Sequence, residues 1–163
     1  MNNKIQYSVK SFKTGVHDSS EIAKLHLAIR RWQEKIGQNT FSNILESQKD
    51  LNGLEEYYIT PGGNFFVAEN TKGEVIGFIA LRNDGDGKGT IKRLAVLPDY
   101  HRRGIARALV GELVDWAKQN GFSKLSLHTN IGEKARPIYE QFGFKVVGFV
   151  DEHEDWAMEA NLK

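Results

Sequence analysis

Three arginines and one glycine stand together after an apolar stretch, within the segment from Leu94 to Arg107. Arg102, Arg103 and Gly104 precede an amphipathic pattern that also contains Arg107. The start of a helix leaves its first N–H groups unpaired and carries a partial positive charge. Glycine lets a ligand approach the backbone because it has no Cβ. The segment is therefore suited to bind a pyrophosphate, although the bare pattern by itself more often marks an ordinary solvated helix start.

Two familiar nucleotide-binding loops do not fit this segment. No Gly-Lys-Ser/Thr follows it, so it is not a Walker loop, and the glycine triplet of the dinucleotide fingerprint is missing. A nucleotide-binding domain that places ATP at the same helix start stays as an alternative.

The elements that position this loop follow from hydrophobic periodicity, turn residues and helix signals. The predicted strands are Tyr7 to Lys10, Phe65 to Ala68, Val75 to Leu81, Ile91 to Leu97, a strand at Leu125 and Leu127, Phe144 to Val150 and Asp155 to Leu162. The predicted helices follow Asp18, run near Phe41 to Lys49, run from Ile105 towards Gly121, and lie around Lys134 to Phe142. This order, β-α-α-β-β-β-α-β-α-β-β, predicts an α+β domain with a mixed sheet.

Local details sharpen this prediction. Asp18 followed by Glu21 predicts a capping box at the first helix, whose apolar face would extend as far as Ile36. Pro137 fits a helix only in its first turn. The stretch from Asn83 to Gly89, rich in Gly and Asp, predicts a turn between two strands.

With these elements placed, the chain resembles the GNAT family of acetyltransferases. Strand–HRRGIA–helix, with His101 first, is similar to the family's Q/R-x-x-G-x-G/A pyrophosphate loop. The flanks Ile91 to Val96 and Ala135 to Phe144 are similar too, and the resemblance spans about Asn64 to Val150. It implies one GNAT domain over residues 1–163. The implied fold is a mixed, mostly antiparallel sheet of six to seven strands, flanked by about four helices.

The resemblance also implies a site that uses acetyl-CoA as cosubstrate and no metal. The residues implied to bind it are Leu94, Ala95, Val96, His101, Arg102, Arg103, Gly104, Ile105, Ala106 and Arg107. In the family, the strand at Leu94 to Val96 splays from its neighbour and pairs with the pantetheine arm, and an N–H near Val96 polarises the acetyl carbonyl. Tyr139 is implied to be the general acid for the departing thiolate.

The sequence leaves several candidates for the general base. An alkyl amine has a pKa near 10.4 and must lose a proton before it attacks, whereas a thiol with a pKa near 8.5 leaves readily. His128 is a candidate base because histidine titrates near neutral pH. The other candidates are Glu69, Asp84, Asp99, His101 and a chain of water molecules. Thr90 stands where many relatives carry a glutamate, so one usual carboxylate is absent, and His101 replaces the usual Gln or Arg.

The charge and cysteine content of the chain limit the classes of partner that it can bind. Lys plus Arg total 22 against 21 for Asp plus Glu, so no overall field attracts nucleic acid or anionic lipid. The chain has no cysteine, which excludes a thiolate nucleophile and fits a cytoplasmic location. The resemblance implies an N-acetyltransferase that acts on a primary amine of a small molecule or a protein, with a homodimer as one arrangement. The alternative is an acyl-CoA-binding module without catalysis.

Overall fold

The computed structural model describes residues 5–37, 49–130 and 134–163. The strands are β1 Tyr7–Ser11, β2 Asn64–Asn70, β3 Val75–Gly85, β4 Lys88–Val96, β5 Lys124–Asn130, β6 Lys145–Val150 and β7 Asp155–Asn161. The α-helices are α1 Ser19–Lys35, α2 Ile105–Gln119 and α3 Arg136–Glu140. Short 3₁₀ segments lie at Lys49–Asn52, Pro98–Tyr100 and Asp151–His153, and one π-helical turn lies at Glu55–Ile59.

All seven strands form one mixed sheet in the order β1-β2-β3-β4-β5-β7-β6. Every neighbouring pair is antiparallel except β4 and β5, which run parallel. A parallel pair needs a long crossover connection, and α2 supplies it here. The predicted mixed, mostly antiparallel sheet is therefore confirmed, with seven strands.

Each face of the sheet packs against its own helices. The face that we call the α2 face carries Phe66, Ile79 and Leu127, and α2 and α3 cover it. The opposite α1 face carries Phe65, Phe78 and Ala80 under α1 and the segment from Lys49 to Ile59. The alternation of strand side chains assigns neighbouring residues of one strand to opposite faces.

Helix α1 begins at the predicted cap but with a different partner. Asp18 accepts a hydrogen bond from the Ser20 backbone N–H at 2.9 Å, and Glu21 pairs with Lys24 at 3.4 Å instead of reaching back to the cap. The capping-box prediction is therefore wrong in its geometry. Ile36 is also not part of the buried face, because α1 ends at Lys35 and leaves Ile36 53% exposed.

Three other predictions are decided by the strand and helix bounds. The predicted turn from Asn83 to Gly89 is too long, because β3 continues to Gly85 and β4 begins at Lys88. Pro137 lies in the first turn of α3, as predicted. The helix predicted near Phe41 to Lys49 lies outside the described residues except for Lys49, which begins a 3₁₀ segment. Among the described residues, no helix combines the length and the apolar character that crossing a bilayer requires.

Candidate active site

Strands β4 and β5 share a ladder only at one end. Three pairs connect them, which are Lys88 with Lys124, Gly89 with Leu125 and Thr90 with Ser126. Beyond Thr90, β4 continues to Val96 along β3, and β5 continues to Asn130 along β7. The two strands therefore separate within the sheet and leave an opening. It is lined by β4 backbone that has no partner strand on that side. The predicted splay at Leu94 to Val96 has this geometry.

A β-bulge shapes the β4 side of the opening. Ala80 pairs with Lys92 and Phe78 with Ala95, so three steps along β4 match two along β3. Arg93, at the bulge, has φ of +68°, a left-handed conformation that costs a non-glycine residue about 1–3 kcal/mol. Bulges commonly occur beside active sites, where they redirect a strand. The surrounding structure must hold Arg93 in place.

A buried polar cluster on the α1 face holds the Arg93 side chain in place. The Arg93 guanidinium donates two hydrogen bonds to Asp50, at 2.7 and 3.1 Å. Asp50 also accepts a hydrogen bond from the Tyr58 hydroxyl. Arg93 and Arg30 both reach His26 Nε2, at 3.4 and 3.1 Å. Burial and then the Asp50 carboxylate raise the pKa of Tyr58, so its hydroxyl stays protonated as a donor.

The bulge leaves one backbone donor directed into the opening. Val96 pairs with Gly77, and the adjacent Leu97 N–H donates to the Ile76 carbonyl at 2.8 Å. In an antiparallel ladder, this pattern makes Val96 and Gly77 a non-hydrogen-bonded pair, whose own N–H and C=O groups point to the outer edges. The Val96 N–H therefore points away from β3, towards the side where β5 has separated. The side chains of Ala95 and Val96 are buried on opposite faces, so only their backbone lines the opening.

The basic loop lies at the end of β4. Arg102 and Gly104 both have positive φ, +61° and +80°, and this turns the chain into the start of α2. The Tyr7 hydroxyl of β1 donates to the Gly104 carbonyl at 3.3 Å and ties the loop to the sheet edge. His101 donates through Nε2 to the Val96 carbonyl at 2.8 Å, since a carbonyl can only accept. The loop thus has a defined shape next to the opening.

The remaining predicted residues of the loop divide into core and solvent. Ile105 is 1% exposed and belongs to the core, so it offers the loop only its backbone. Arg102, Arg103 and Arg107 are exposed, and their side chains form no hydrogen bond or ion pair with any residue that the structure describes. Three cationic side chains are therefore available beside the unpaired N–H groups at the start of α2.

Two observations on the α2 face fit a long ligand in the opening. Thr129 is 3% exposed, and its hydroxyl has no hydrogen-bond partner within the described parts of the chain. A buried hydroxyl without a partner is costly, so a bound ligand group would stabilise it. Tyr139 is 5% exposed and packs edge-on against Phe144 at 5.7 Å. Both residues lie on the face covered by α2 and α3, the same side as the basic loop.

The candidate bases lie in different surroundings. Glu69 is in β2, where it pairs with Lys10 at 3.1 Å and His17 at 2.7 Å, far along the sheet order from β5. Asp99 is exposed in the 3₁₀ segment after β4. His128 is exposed on the α1 face of β5, beside the opening. Of these three residues, only His128 combines a titratable side chain with a place at the opening.

Asp84 places a carboxylate next to Thr90. The Thr90 hydroxyl donates to Asp84, and Arg82 donates to the other Asp84 oxygen at 2.7 Å. Burial raises the pKa of the Asp84 carboxyl, but the hydrogen bonds from Thr90 and Arg82 outweigh it and hold that pKa below its usual value. A carboxylate held in its ionised form is a weak base. Asp84 thus places a carboxylate beside the position where many relatives carry a glutamate. This carboxylate is held in structural hydrogen bonds with Thr90 and Arg82.

Sequence reasoning missed the Asp50–Arg93 pair and Thr129. A signal existed for Arg93, which together with Lys92 interrupts the otherwise apolar run from Ile91 to Val96. Nothing local marked Asp50, because its partner lies 43 positions further along the chain. Among the described residues, no group of three or more His, Asp or Glu side chains is arranged to hold a metal ion.

The comparisons with known proteins agree with this geometry. Residues 27–144 match the sequence model of the Acetyltransferase (GNAT) family, and the chain belongs to that family. The N-acetylaspartate synthetase of Xenopus tropicalis is 34% identical over 106 residues. That alignment covers 64% of this chain and 39% of the synthetase, so the chain spans about two fifths of the length of this relative.

Solved structures show the same fold. An acetyltransferase of the GNAT family from Staphylococcus aureus superposes with a TM-score of 0.82 at 19% identity, covering 97% of this chain and 100% of that one. The PaiA N-acetyltransferase of Thermoplasma acidophilum, solved in complex with coenzyme A, superposes with a TM-score of 0.73 at 22% identity, covering 94% of this chain and 99% of the other.

Proposed function

We propose that this chain is an acetyl-CoA-dependent N-acetyltransferase. It transfers the acetyl group to a primary amine of a small molecule or a protein, by direct attack of the amine while both substrates are bound. Membership of the GNAT family supports this proposal. The observation that carries it is the opening between β4 and β5 beyond Thr90, with an unpartnered arginine loop at its end.

The chain's own residues have distinct roles in this reaction. Arg102, Arg103 and Arg107 bind the phosphates, together with the N–H groups at the start of α2. The unpaired β4 edge and the Thr129 hydroxyl bind the arm of the cosubstrate. Acetyl-CoA supplies an activated acetyl group as a thioester. The Val96 N–H donates a hydrogen bond to the acetyl oxygen as negative charge develops there, which on the oxyanion-hole scale is worth about 3–4 kcal/mol.

Two side chains move protons in this proposal. Tyr139 donates its hydroxyl proton to the departing thiolate from the α2 face. His128, on the α1 face, accepts a proton from the attacking amine. Such proton transfers typically contribute about 10²–10⁴-fold each. The two residues lie on opposite faces of the sheet, which fits an acetyl group that passes through the opening from the cosubstrate to the acceptor.

Thermal unfolding with and without acetyl-CoA tests the binding step, with ATP as control. A ligand at about 100 times its Kd adds roughly 2.7 kcal/mol of stability. For a domain of this size we expect Tm to rise by about 5–10 °C with acetyl-CoA and little with ATP. Thiol release with a panel of amines then tests transfer, without background because the chain has no cysteine.

The outcomes separate the proposal from its alternatives. A shift with acetyl-CoA and no thiol release with any amine would identify a non-catalytic acyl-CoA-binding module. A larger shift with ATP would identify a nucleotide-binding domain. No shift with saturating acetyl-CoA would reduce the loop to an ordinary helix start and overturn the proposal.

We further propose a cytoplasmic enzyme that needs neither nucleic acid nor membrane and forms a homodimer. The balanced charge and the absence of cysteine support the location. The edge strand β6 carries Val147 and Phe149, which are 59% and 45% exposed, and exposed apolar edges favour pairing. Light scattering in solution measures the oligomeric state, and a mass of one chain would exclude the dimer.

A further inference from the structure

The α1 face of the opening carries a row of polar side chains. Thr90 pairs with Arg82 on one side and with Ser126 on the other, so these three lie in line across β3, β4 and β5. Their side chains touch, since Arg82 reaches the Thr90 hydroxyl at 3.4 Å and the Thr90 and Ser126 hydroxyls are 3.5 Å apart. This row marks the point at which the two strands separate.

The next residues on this face flank the opening. Lys92 lies two residues beyond Thr90 on β4, and it pairs with Ala80 of the α1-face core. His128 lies two residues beyond Ser126 on β5. Because side chains two residues apart share a face of a strand, Lys92 and His128 stand on the two sides of the opening. An acceptor that enters from this face meets both.

The charges around Lys92 do not balance. Asp84 is paired with Arg82 at 2.7 Å, and Asp50 is paired with Arg93 at 2.7 Å. The Lys92 side chain forms no hydrogen bond or ion pair with any residue in the part of the chain that the structure describes. The charged groups that act on Lys92 are Arg82, Arg93, Asp50 and Asp84. They pair with one another, and Lys92 is an additional cation beside these two pairs.

Lys92 is also half-buried, which makes the missing partner significant. Burial, followed by the repulsion of Arg82 and Arg93, lowers the pKa of the Lys92 ammonium. A partly buried charge is stabilised by a partner of opposite sign, whereas an exposed lysine needs none. A ligand carboxylate would complete the pairing, and a second cation brought to the same place would be repelled.

On this basis we propose that the acceptor is a small amine that carries a carboxylate, of the amino-acid class, and that Lys92 binds the carboxylate. This proposal rests on the proposed N-acetyltransferase function. Lys92 then anchors the acid group on the β4 side while the amine faces the opening and His128. The same charge disfavours polyamines, whose additional ammonium groups would approach Lys92.

The test compares matched acceptors on two variants. Each acceptor is used as the free amino acid and as its carboxamide, which has the same amine and no negative charge. We expect the native chain to prefer the free acid, and Lys92→Met to raise KM for the acid by roughly 10- to 100-fold, since a hydrogen bond to a charged group is worth that factor. KM for the carboxamide should change little. Lys124→Met is the control, because Lys124 lies on the same face but pairs with Glu159 at 2.8 Å.

A second readout does not need turnover. In the presence of coenzyme A, an N-acetylated amino acid should raise Tm more than its N-methylamide does, and Lys92→Met should abolish that difference. Equal or better turnover with carboxamides or polyamines, together with no difference in Tm, would overturn the carboxylate proposal and leave the acetyltransferase intact. Failure of the proposed function itself would show differently, as the absence of any stabilisation by acetyl-CoA.

Discussion

Gly104 and the adjacent Arg102 and Arg103 contribute to the proposed phosphate site in two ways, through the backbone at Gly104 and through the charge of the arginines. Gly104 has φ of +80°, and a Cβ added there would meet no atom within 4 Å, so the chain itself has room for a side chain. That space is where the proposed phosphates approach the start of α2. Ligand binding and backbone strain therefore have to be separated in any experiment at this position.

Gly104→Val is expected to weaken acetyl-CoA binding by roughly 10- to 100-fold or more, because losing even one hydrogen bond to a charged group costs that much. A β-branched residue at positive φ also strains the fold. Gly73→Val is the matched control, since Gly73 has φ of +77° in an equally open turn between β2 and β3. Titration calorimetry measures the Kd of each variant for acetyl-CoA. Equal affinity in the two variants would contradict the pyrophosphate assignment.

Tyr139 combines a packed ring with a proposed proton donor. Tyr139→Phe keeps the ring that packs against Phe144 at 5.7 Å and removes only the hydroxyl. We expect kcat to fall by roughly 10²–10⁴-fold, the usual range for a general acid, while the Kd for acetyl-CoA and Tm change little. Steady-state kinetics beside calorimetry decide the point. An unchanged kcat would make Tyr139 a packing residue only.

At the scale of elements, the buried ion pair of Asp50 and Arg93 connects the 3₁₀ segment Lys49–Asn52 to the β4 bulge. Its side chains are only 7% and 18% exposed, in contrast to Lys124 and Glu159, which pair across β5 and β7 at 39% and 37%. Removing one partner of a buried pair leaves an uncompensated charge inside the protein. The bulge in turn sets the direction of the Val96 N–H.

Asp50→Asn is therefore expected to lower the free energy of unfolding by about 3–5 kcal/mol. The exposed pair provides the comparison, since Lys124→Met should cost less than about 1 kcal/mol. Denaturation by urea measures both. Similar small losses in the two variants would show that other contacts hold Arg93 in its left-handed conformation.

At the scale of the whole molecule, the carboxylates of Glu69 and Asp84 link stability to pH. Burial raises the pKa of the Glu69 carboxyl, but hydrogen bonds from His17 and Lys10 outweigh it and leave that pKa below its ordinary value of 4.5. The pKa of Asp84 is likewise held below its ordinary value of 3.8. A depressed pKa stabilises the folded state above the unfolded pKa, and this stabilisation is lost as pH falls through the folded pKa.

The free energy of unfolding is thus expected to decrease as the pH is lowered below about 4.5, the unfolded pKa of a glutamate. Glu69→Gln should make this decrease shallower because one of the linked groups is removed. Glu112→Gln serves as control, since Glu112 is exposed on α2 and forms no pair among the described residues. Urea titrations between neutral and acid pH test this, and identical slopes in both variants would refute it.

The order of elements and the basic loop could be predicted from the sequence alone. The alternation of Trp156, Met158 and Ala160 marks β7, and the repeated apolar pairs after Gly104 mark α2, because a few adjacent residues determine periodicity. The capping box and the length of the β3–β4 turn were wrong. In both places, several polar residues fit more than one local geometry. The β3–β4 ladder extends further and shortens the turn, and the Ser20 N–H, rather than Glu21, forms the hydrogen bond at the helix cap.

The site depends on contacts that no local pattern contains. Asp50 lies 43 positions from Arg93, and Thr90 lies 36 positions from Ser126, so only the folded sheet brings these pairs together. Nothing in the sequence distinguishes Lys92 from other lysines. It lies opposite His128, with no partner for its side chain among the described residues, because the β4–β5 register ends at Thr90. The amino-acid order determined the elements and the basic loop, because those follow from neighbouring residues. The tertiary structure decided the opening and its charges, because these follow from register between distant strands.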